Sequence, residues 1–159
     1  MDASQVKQFQ KSLEEKLRER KLETAYVDGS GGLQEGDILR VLLPMNDTNE
    51  KNVALLEVMV TRYTEDSDLL TLCSTILSEI GPGFEALKER IFDWNLNIPL
   101  GAFGIYRQEK QMYHKYTLPF PVDTTPEALA ERAMDLIGLI YDALAVFYED
   151  AMRIGGQPA

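Results

Sequence analysis

The sequence predicts an α+β domain in which an antiparallel sheet packs against helices, in the order helix, strands, helix, hairpin, long helix. Three observations carry that prediction. Apolar residues recur at helical spacing in three separate stretches, near residues 4–21, 84–94 and 126–153. Between them lie short segments rich in Val, Ile, Leu, Thr and Tyr, bounded by Gly, Pro, Asn and Asp. The strand segments come in neighbouring groups, not singly between helices, which is the pattern of antiparallel pairing and not of βαβ units.

The first helix is expected from about Ser4 to Lys21, with Val6, Phe9, Leu13 and Leu17 on one narrow face. Asp2 or Ser4 can cap its start, and Lys16, Arg18, Arg20 and Lys21 suit the negative end of its dipole. Leu22–Val27 reads as a short strand that Asp28-Gly29-Ser30-Gly31-Gly32 breaks. Ile38–Leu43 is a second strand, closed by Pro44 and the polar loop Asn46–Glu50, and Asn52–Tyr63 a third. Leu69–Ser78 fits either period. Its Thr71, Leu72, Cys73, Thr75 and Ile76, together with the four-residue turn Glu65–Asp68, favour a strand that forms a hairpin with the third.

Gly81-Pro82-Gly83 is a firm break. Phe84, Leu87, Ile91 and Trp94 share one face of a second helix, which Asn95 is expected to end in a left-handed conformation. Asn97–Gly101 is an extended link, because the residue before Pro99 is steered away from the helical region. Ala102–Arg107 and Gln111–Leu118 form a second hairpin that Pro119-Phe120-Pro121 ends. Met112, His114, Tyr116 and Leu118 face away from Tyr113, Lys115 and Thr117. Thr125 caps the last helix, with Pro126 in its first position. Its stripe of Leu129, Ala133, Leu136, Ile137, Ile140, Leu144 and Phe147 runs to about Arg153, or about 40 Å at 1.5 Å per residue. Gly155-Gly156 stops it. No linker or repeat divides residues 1–159, which read as a single domain.

The composition excludes several classes of function. Sixteen Lys and Arg against 26 Asp and Glu leave a net charge of −10, which opposes nucleic acid and anionic membranes. The first 21 residues are the exception, with six basic and four acidic groups. That excess reads as dipole complementation and solubility, with a detachable or partner-facing arm as the alternative. Cys73 has no partner cysteine, so the expected compartment is the reducing cytoplasm. One Cys and one His fall short of a structural zinc site. The N-terminus lacks an apolar signal core, and Leu136–Tyr148, interrupted by Asp142, is too short to span a membrane.

Motifs for chemistry are absent. Gly31 and Gly36 have the spacing of a phosphate loop, but Asp37 stands where a lysine must reach the phosphates, and a dinucleotide fingerprint fails because a strand follows the glycines instead of a helix. His114 has no nucleophile or orienting acid placed by a motif, and Cys73 has acidic neighbours in sequence and reads as a small buried apolar residue. Glu65-Asp66-Ser67-Asp68 lacks the glycine and register of a calcium loop. Asp135 and Asp142 share a helix face without forming a selected acid–base pair. The aromatics Phe103, Tyr106, Tyr113, Tyr116 and Phe120 gather on one hairpin, either as core or as the lining of a groove or interface.

Asn95-Leu96-Asn97-Ile98-Pro99-Leu100-Gly101-Ala102-Phe103-Gly104, followed by Tyr116-Thr117-Leu118-Pro119 and by Thr125-Pro126-Glu127-Ala128-Leu129 opening a long helix, resembles the YbjN-like proteins. These share the fold of type III secretion chaperones. Leu56–Val60 with Leu69–Leu72 is similar as well, so the resemblance spans nearly the whole chain. Its markers Asn95, Pro99, Leu100, Gly101 and Phe103 are structural, and no catalytic residues carry over. The resemblance implies a small acidic homodimer that binds an extended segment of another protein, without enzymatic activity, cofactor or metal. A regulatory domain of the sensory-transduction type, or one that binds a small molecule between the sheet and the last helix, is the alternative. The face of Phe84, Leu87, Ile91 and Trp94 is the candidate dimer or partner contact, with packing on the sheet as its competing role. Capture of the partner is expected by edge-strand pairing, and the acidic surface would favour basic partners.

Overall fold

A computed structural model describes residues 1–28, 37–45 and 52–156. Nine elements follow in chain order: α1 (Ala3–Glu19), β1 (Glu23–Val27), β2 (Ile38–Pro44), β3 (Val53–Arg62), β4 (Ser67–Leu77), α2 (Phe84–Asn95), β5 (Ala102–Tyr106), β6 (Gln111–Pro121) and α3 (Pro126–Gly155). This is the predicted α+β arrangement. The glycine cluster Gly29–Gly32, the phosphate-loop glycines and the loop Asn46–Glu50 lie outside the described residues.

The strands form one antiparallel sheet in the order β1-β2-β3-β4-β6-β5. The segment expected as a strand over Leu69–Ser78 is one, running Ser67–Leu77 and paired with β3, with Leu72 opposite Val58. The second hairpin joins the first through β4 and β6, where Leu72 faces Tyr116 and Ser74 faces His114. β6 runs beyond its predicted end, through Pro119 and Pro121. β5 pairs only with Gln111–Lys115, so the rest of β6 lies at the sheet's edge. Proline, which lacks an N–H for a second ladder, is tolerated there.

Helix caps follow local chemistry. Asp2 accepts from the Gln5 amide while the Gln5 side chain accepts from the Asp2 amide, a reciprocal capping box at the start of α1. Thr125 Oγ1 accepts from Ala128 N at 3.3 Å, and Pro126 opens α3. Asn95 departs from expectation. It stays helical, and the cap residue Leu96 has φ −75°, in the right-handed region. Its side chain is used elsewhere, as described below.

All three helices lie on one face of the sheet and share one core with it. Phe9, Leu13 and Leu17 of α1, Leu87 of α2, and Leu129, Ile140 and Leu144 of α3 are buried with Leu39, Leu56, Leu72 and Met112. Each such side chain removed from water contributes about 1.5–3 kcal/mol. Trp94, Phe103 and Phe147 meet where α2, β5 and α3 converge. Their ring centroids are 5.9 Å apart for Trp94–Phe103, 5.5 Å for Trp94–Phe147 and 5.4 Å for Phe103–Phe147. At the opposite end the Met1 amino group is ion-paired with the buried Asp68 carboxylate. Arg62 Nε lies 3.1 Å from the second Asp68 oxygen, close enough to pair by charge without hydrogen-bond alignment.

Candidate functional site

Because the helices cover one face, the alternate residues of every strand project from the other. The register lines up Ala25, Arg40, Glu57, Cys73, Lys115 and Ala102 in one row across all six strands. The neighbouring row is Glu23, Leu42, Leu55, Thr75, Tyr113 and Gly104. Leu42, Leu55 and Met59 are half-buried on this face and stand outside the shared core. This sheet face mixes half-buried apolar residues with the charged Arg40, Glu57 and Lys115.

Two central charges of this face are paired within it. Arg40 donates to Glu57 Oε1, with Nε at 2.8 Å and Nη2 at 2.7 Å. Cys73 sits beside that pair, and burial, then the Glu57 carboxylate, push its thiol up. A thiol held protonated is a poor nucleophile. Tyr106 and Tyr113 stack at 4.3 Å with an interplanar angle of 26°. Gly104 makes room for this, since a Cβ there would fall on the Tyr113 ring. The aromatic cluster of the sequence therefore divides. Phe103 and Phe120 enter the core, Tyr116 packs against it, and Tyr106 and Tyr113 line the uncovered face.

The two edges of the sheet differ. At β5, Asn95 Oδ1 accepts from Phe103 N at 2.7 Å and Asn95 Nδ2 donates to Phe103 O at 3.0 Å. The amide side chain acts as a one-residue strand and caps that edge at Phe103. β1 pairs with β2 on one side and with no other strand among the described residues. Thr24 and Tyr26 tie it back to α1 through Glu14, at 3.0 and 3.1 Å.

The link after Asn95 explains the remaining motif residues. Gly101 has φ +71°, and a Cβ there would meet Lys115 O and the His114 ring. Leu100 O lies 2.7 Å from His114 Nε2. His114 is fully buried, and burial pulls its imidazole down from the ordinary value, so the neutral ring donates through Nε2. Its Nδ1 and the Oγ of Ser74, its cross-strand neighbour, are both buried without a hydrogen-bond partner. A serine and a histidine side by side suggest a nucleophile and its base, but both lie at 0% exposure, and no substrate reaches them there. Asn95, Leu100, Gly101 and Phe103 thus act as a staple. Pro99 lies exposed in the same link.

The face expected to meet a partner is occupied. Leu87, Ile91 and Trp94 are buried among the chain's own α3 and β5, with Phe84 packed against them. Of the two roles considered, the structure gives these residues the packing role, because α3 is long enough to cover α2 as well as α1. Residues that sequence reasoning did not single out, Arg40, Glu57, Leu55 and Thr75, line a cleft of about 780 Å³ that reaches Tyr148 and Met152 of α3. Their signal lay in the alternation of β2 and β3, but the lack of a covering layer is not a local property.

Among the described residues, no group of three or more His, Cys, Asp or Glu is placed to hold a metal ion. No helix among them is long and apolar enough to cross a membrane. Compared with known protein families and with curated proteins, the chain matches none.

Proposed function

We propose that this chain is a non-enzymatic, chaperone-like protein-interaction module of the YbjN-like type. It acts as a homodimer in the cytoplasm and holds an extended segment of a partner protein. The observation that carries this reading is the asymmetry of the sheet. Asn95 caps the β5 edge at Phe103, β1 has no second strand beside it among the described residues, and the adjoining face is the one turned away from the core that the helices share with the sheet. An extended segment added to β1 gains main-chain hydrogen bonds, and its alternate side chains reach Val27 and Ala25. The test is affinity capture from the protein's own cytosol, together with sedimentation. The wild-type chain should sediment as a dimer and retain one stoichiometric partner. Ala25→Lys, which places a charge on an exposed edge position, should release that partner and keep the fold. A monomer that retains nothing defeats the proposal.

The cleft of about 780 Å³ favours a second reading, a regulatory domain that binds a small molecule. Its size suits such ligands, and the Arg40–Glu57 pair in its wall supplies polar contacts. A metabolite panel that raises the melting temperature of the wild-type chain but not of Arg40→Ala supports it, and a flat response counts against it.

A further inference from the structure

β3 and β4 part before either strand ends. Their pairing stops at Leu55 opposite Thr75. Beyond that point Ala54 and Val53 continue with β2, opposite Leu43 and Pro44. On the other side the register of β4 against β6 shifts between Thr75 and Leu77, and Leu77 stands opposite Met112. Such a bulge bends its strand, and here the ladder to β3 ends at the bend. The cleft of about 780 Å³ lies in this parting. Leu55, Glu57 and Thr75 line it from the sheet's outward face, and Tyr148 and Met152 line it from α3, which packs on the inward face. The last turn of α3 is fixed beside β4. Gly155 O accepts from Gly81 N at 2.9 Å, and a Cβ on Gly155 would meet Leu77 and Leu87.

The polar groups of the cleft are left with unused acceptors. Tyr148 is 4% exposed, lines the cleft, and has no hydrogen bond to its hydroxyl among the described residues. Burial pushes its phenol up, so the group is neutral and its oxygen is free to accept. Arg40 directs Nε and Nη2 at Glu57 Oε1, at 2.8 and 2.7 Å, which leaves Oε2 to accept from a ligand. Glu79 also lines the cleft and forms no ion pair among the described residues. Met152 and Gly156 bring the negative pole of α3 to the wall. Against these, Arg40 is the one cation lining the cleft among the described residues, and Glu57 engages it. Lys115 stands beyond Cys73 in the row of Glu57, and Lys110 in the turn before Gln111, and neither lines the cleft. Arg153, in the last turn of α3, is paired with Asp150. Leu55, Ile76, Leu77 and Met152 supply apolar contact.

We infer that this cleft binds a small organic amine, an ammonium group carried on an apolar body, with the ammonium drawn to Glu57 and the end of α3. The inference rests on the small-molecule reading above and names the ligand class for it. The probes are three indoles of one shape: tryptamine with an ammonium, tryptophol with a hydroxyl and indole-3-propionate with a carboxylate. Isothermal titration of the full chain at neutral pH should show saturable one-to-one binding of tryptamine, about tenfold or more tighter than of either isostere. Ethylamine, which keeps the charge and lacks the body, should bind more weakly than tryptamine by a similar factor. Glu57→Gln should cost tryptamine about tenfold and, by releasing Arg40, turn the preference toward indole-3-propionate. Tyr148→Phe keeps the ring and should weaken tryptamine several-fold. Leu55→Trp, which fills the cleft, should abolish binding of all three. Leu55 and Glu57 face outward from the core, so the melting temperatures of their variants should hold.

Equal binding of the three indoles, abolished by Leu55→Trp, overturns the amine class and leaves the small-molecule reading standing. Binding of none of them overturns the inference, and the metabolite panel then decides the underlying reading separately. Ethylamine binding as tightly as tryptamine, or tryptamine affinity unchanged in Glu57→Gln, also overturns it, by assigning the attraction to the net charge of −10. Tryptamine affinity unchanged in Leu55→Trp overturns it by moving the ligand out of the cleft.

Discussion

Replacing Asn95 tests both how the β5 edge is held and why. Asn95→Ala removes two hydrogen bonds, Phe103 N to Oδ1 at 2.7 Å and Nδ2 to Phe103 O at 3.0 Å. Phe103 is 5% exposed, so water replaces these bonds poorly. At about 1 kcal/mol net per bond, the loss comes to about 2 kcal/mol. With a urea slope of about 2 kcal/mol per molar, the midpoint should fall by about 1 M. The single tryptophan is a built-in reporter, since Trp94 is buried beside Phe103 with ring centroids 5.9 Å apart. Urea melts followed by its fluorescence, with hydrogen exchange at the Phe103 amide, measure the global and the local effect. Asn95→Asp keeps the acceptor for Phe103 N but turns a carboxylate oxygen toward Phe103 O, so it should also destabilise at neutral pH. A loss under about 0.5 kcal/mol in Asn95→Ala, with Phe103 protection unchanged, would refute the clamp.

Three further perturbations probe other parts of the fold. Burial lowers the folded pKa of His114, so the unfolded chain takes up the proton first. Its contribution to stability is full above about pH 6.5 and falls as the pH drops below that, by at most about 1.4 kcal/mol per unit. Between pH 7.5 and 5.5 the wild type should therefore lose stability relative to His114→Gln, and parallel pH curves would discount the buried neutral ring. Gly101→Ala forces a side chain into φ +71° and against Lys115 O, and should cost about 2–4 kcal/mol by urea denaturation. Gly138 lies inside α3 with open space around its would-be Cβ, so Gly138→Ala should gain about 1 kcal/mol, and calorimetry should show a Tm higher by about 2–4 °C.

The elements were legible because each is written in local chemistry. Asp2 and Thr125 mark helix starts by the amides they cap, Leu129 to Phe147 hold one helical face, and Met112 and His114 alternate with Tyr113 and Lys115. The strand nature of Leu69–Leu77 followed from its β-branched content and the short turn before it. Asn95 shows the limit of such reasoning. Its position at a helix end suggested a left-handed cap, whereas a backbone eight residues later offered both a donor and an acceptor. Tertiary bonding outweighed the local preference. In the same way α2's apolar face read equally as interface or core until α3 was seen to cover it.

The sequence by itself determined the α+β class, the element order and the acidic charge, since periodicity, caps and composition act over a few residues at a time. Only the tertiary structure decided that β4 pairs with β6 to make one sheet of six strands, and that all the helices gather on one face. Those choices depend on contacts between distant segments, such as Leu72 with Tyr116, which no local pattern encodes. They also create the surface on which the proposed function rests. The row from Ala25 to Ala102 exists because six strands share a register.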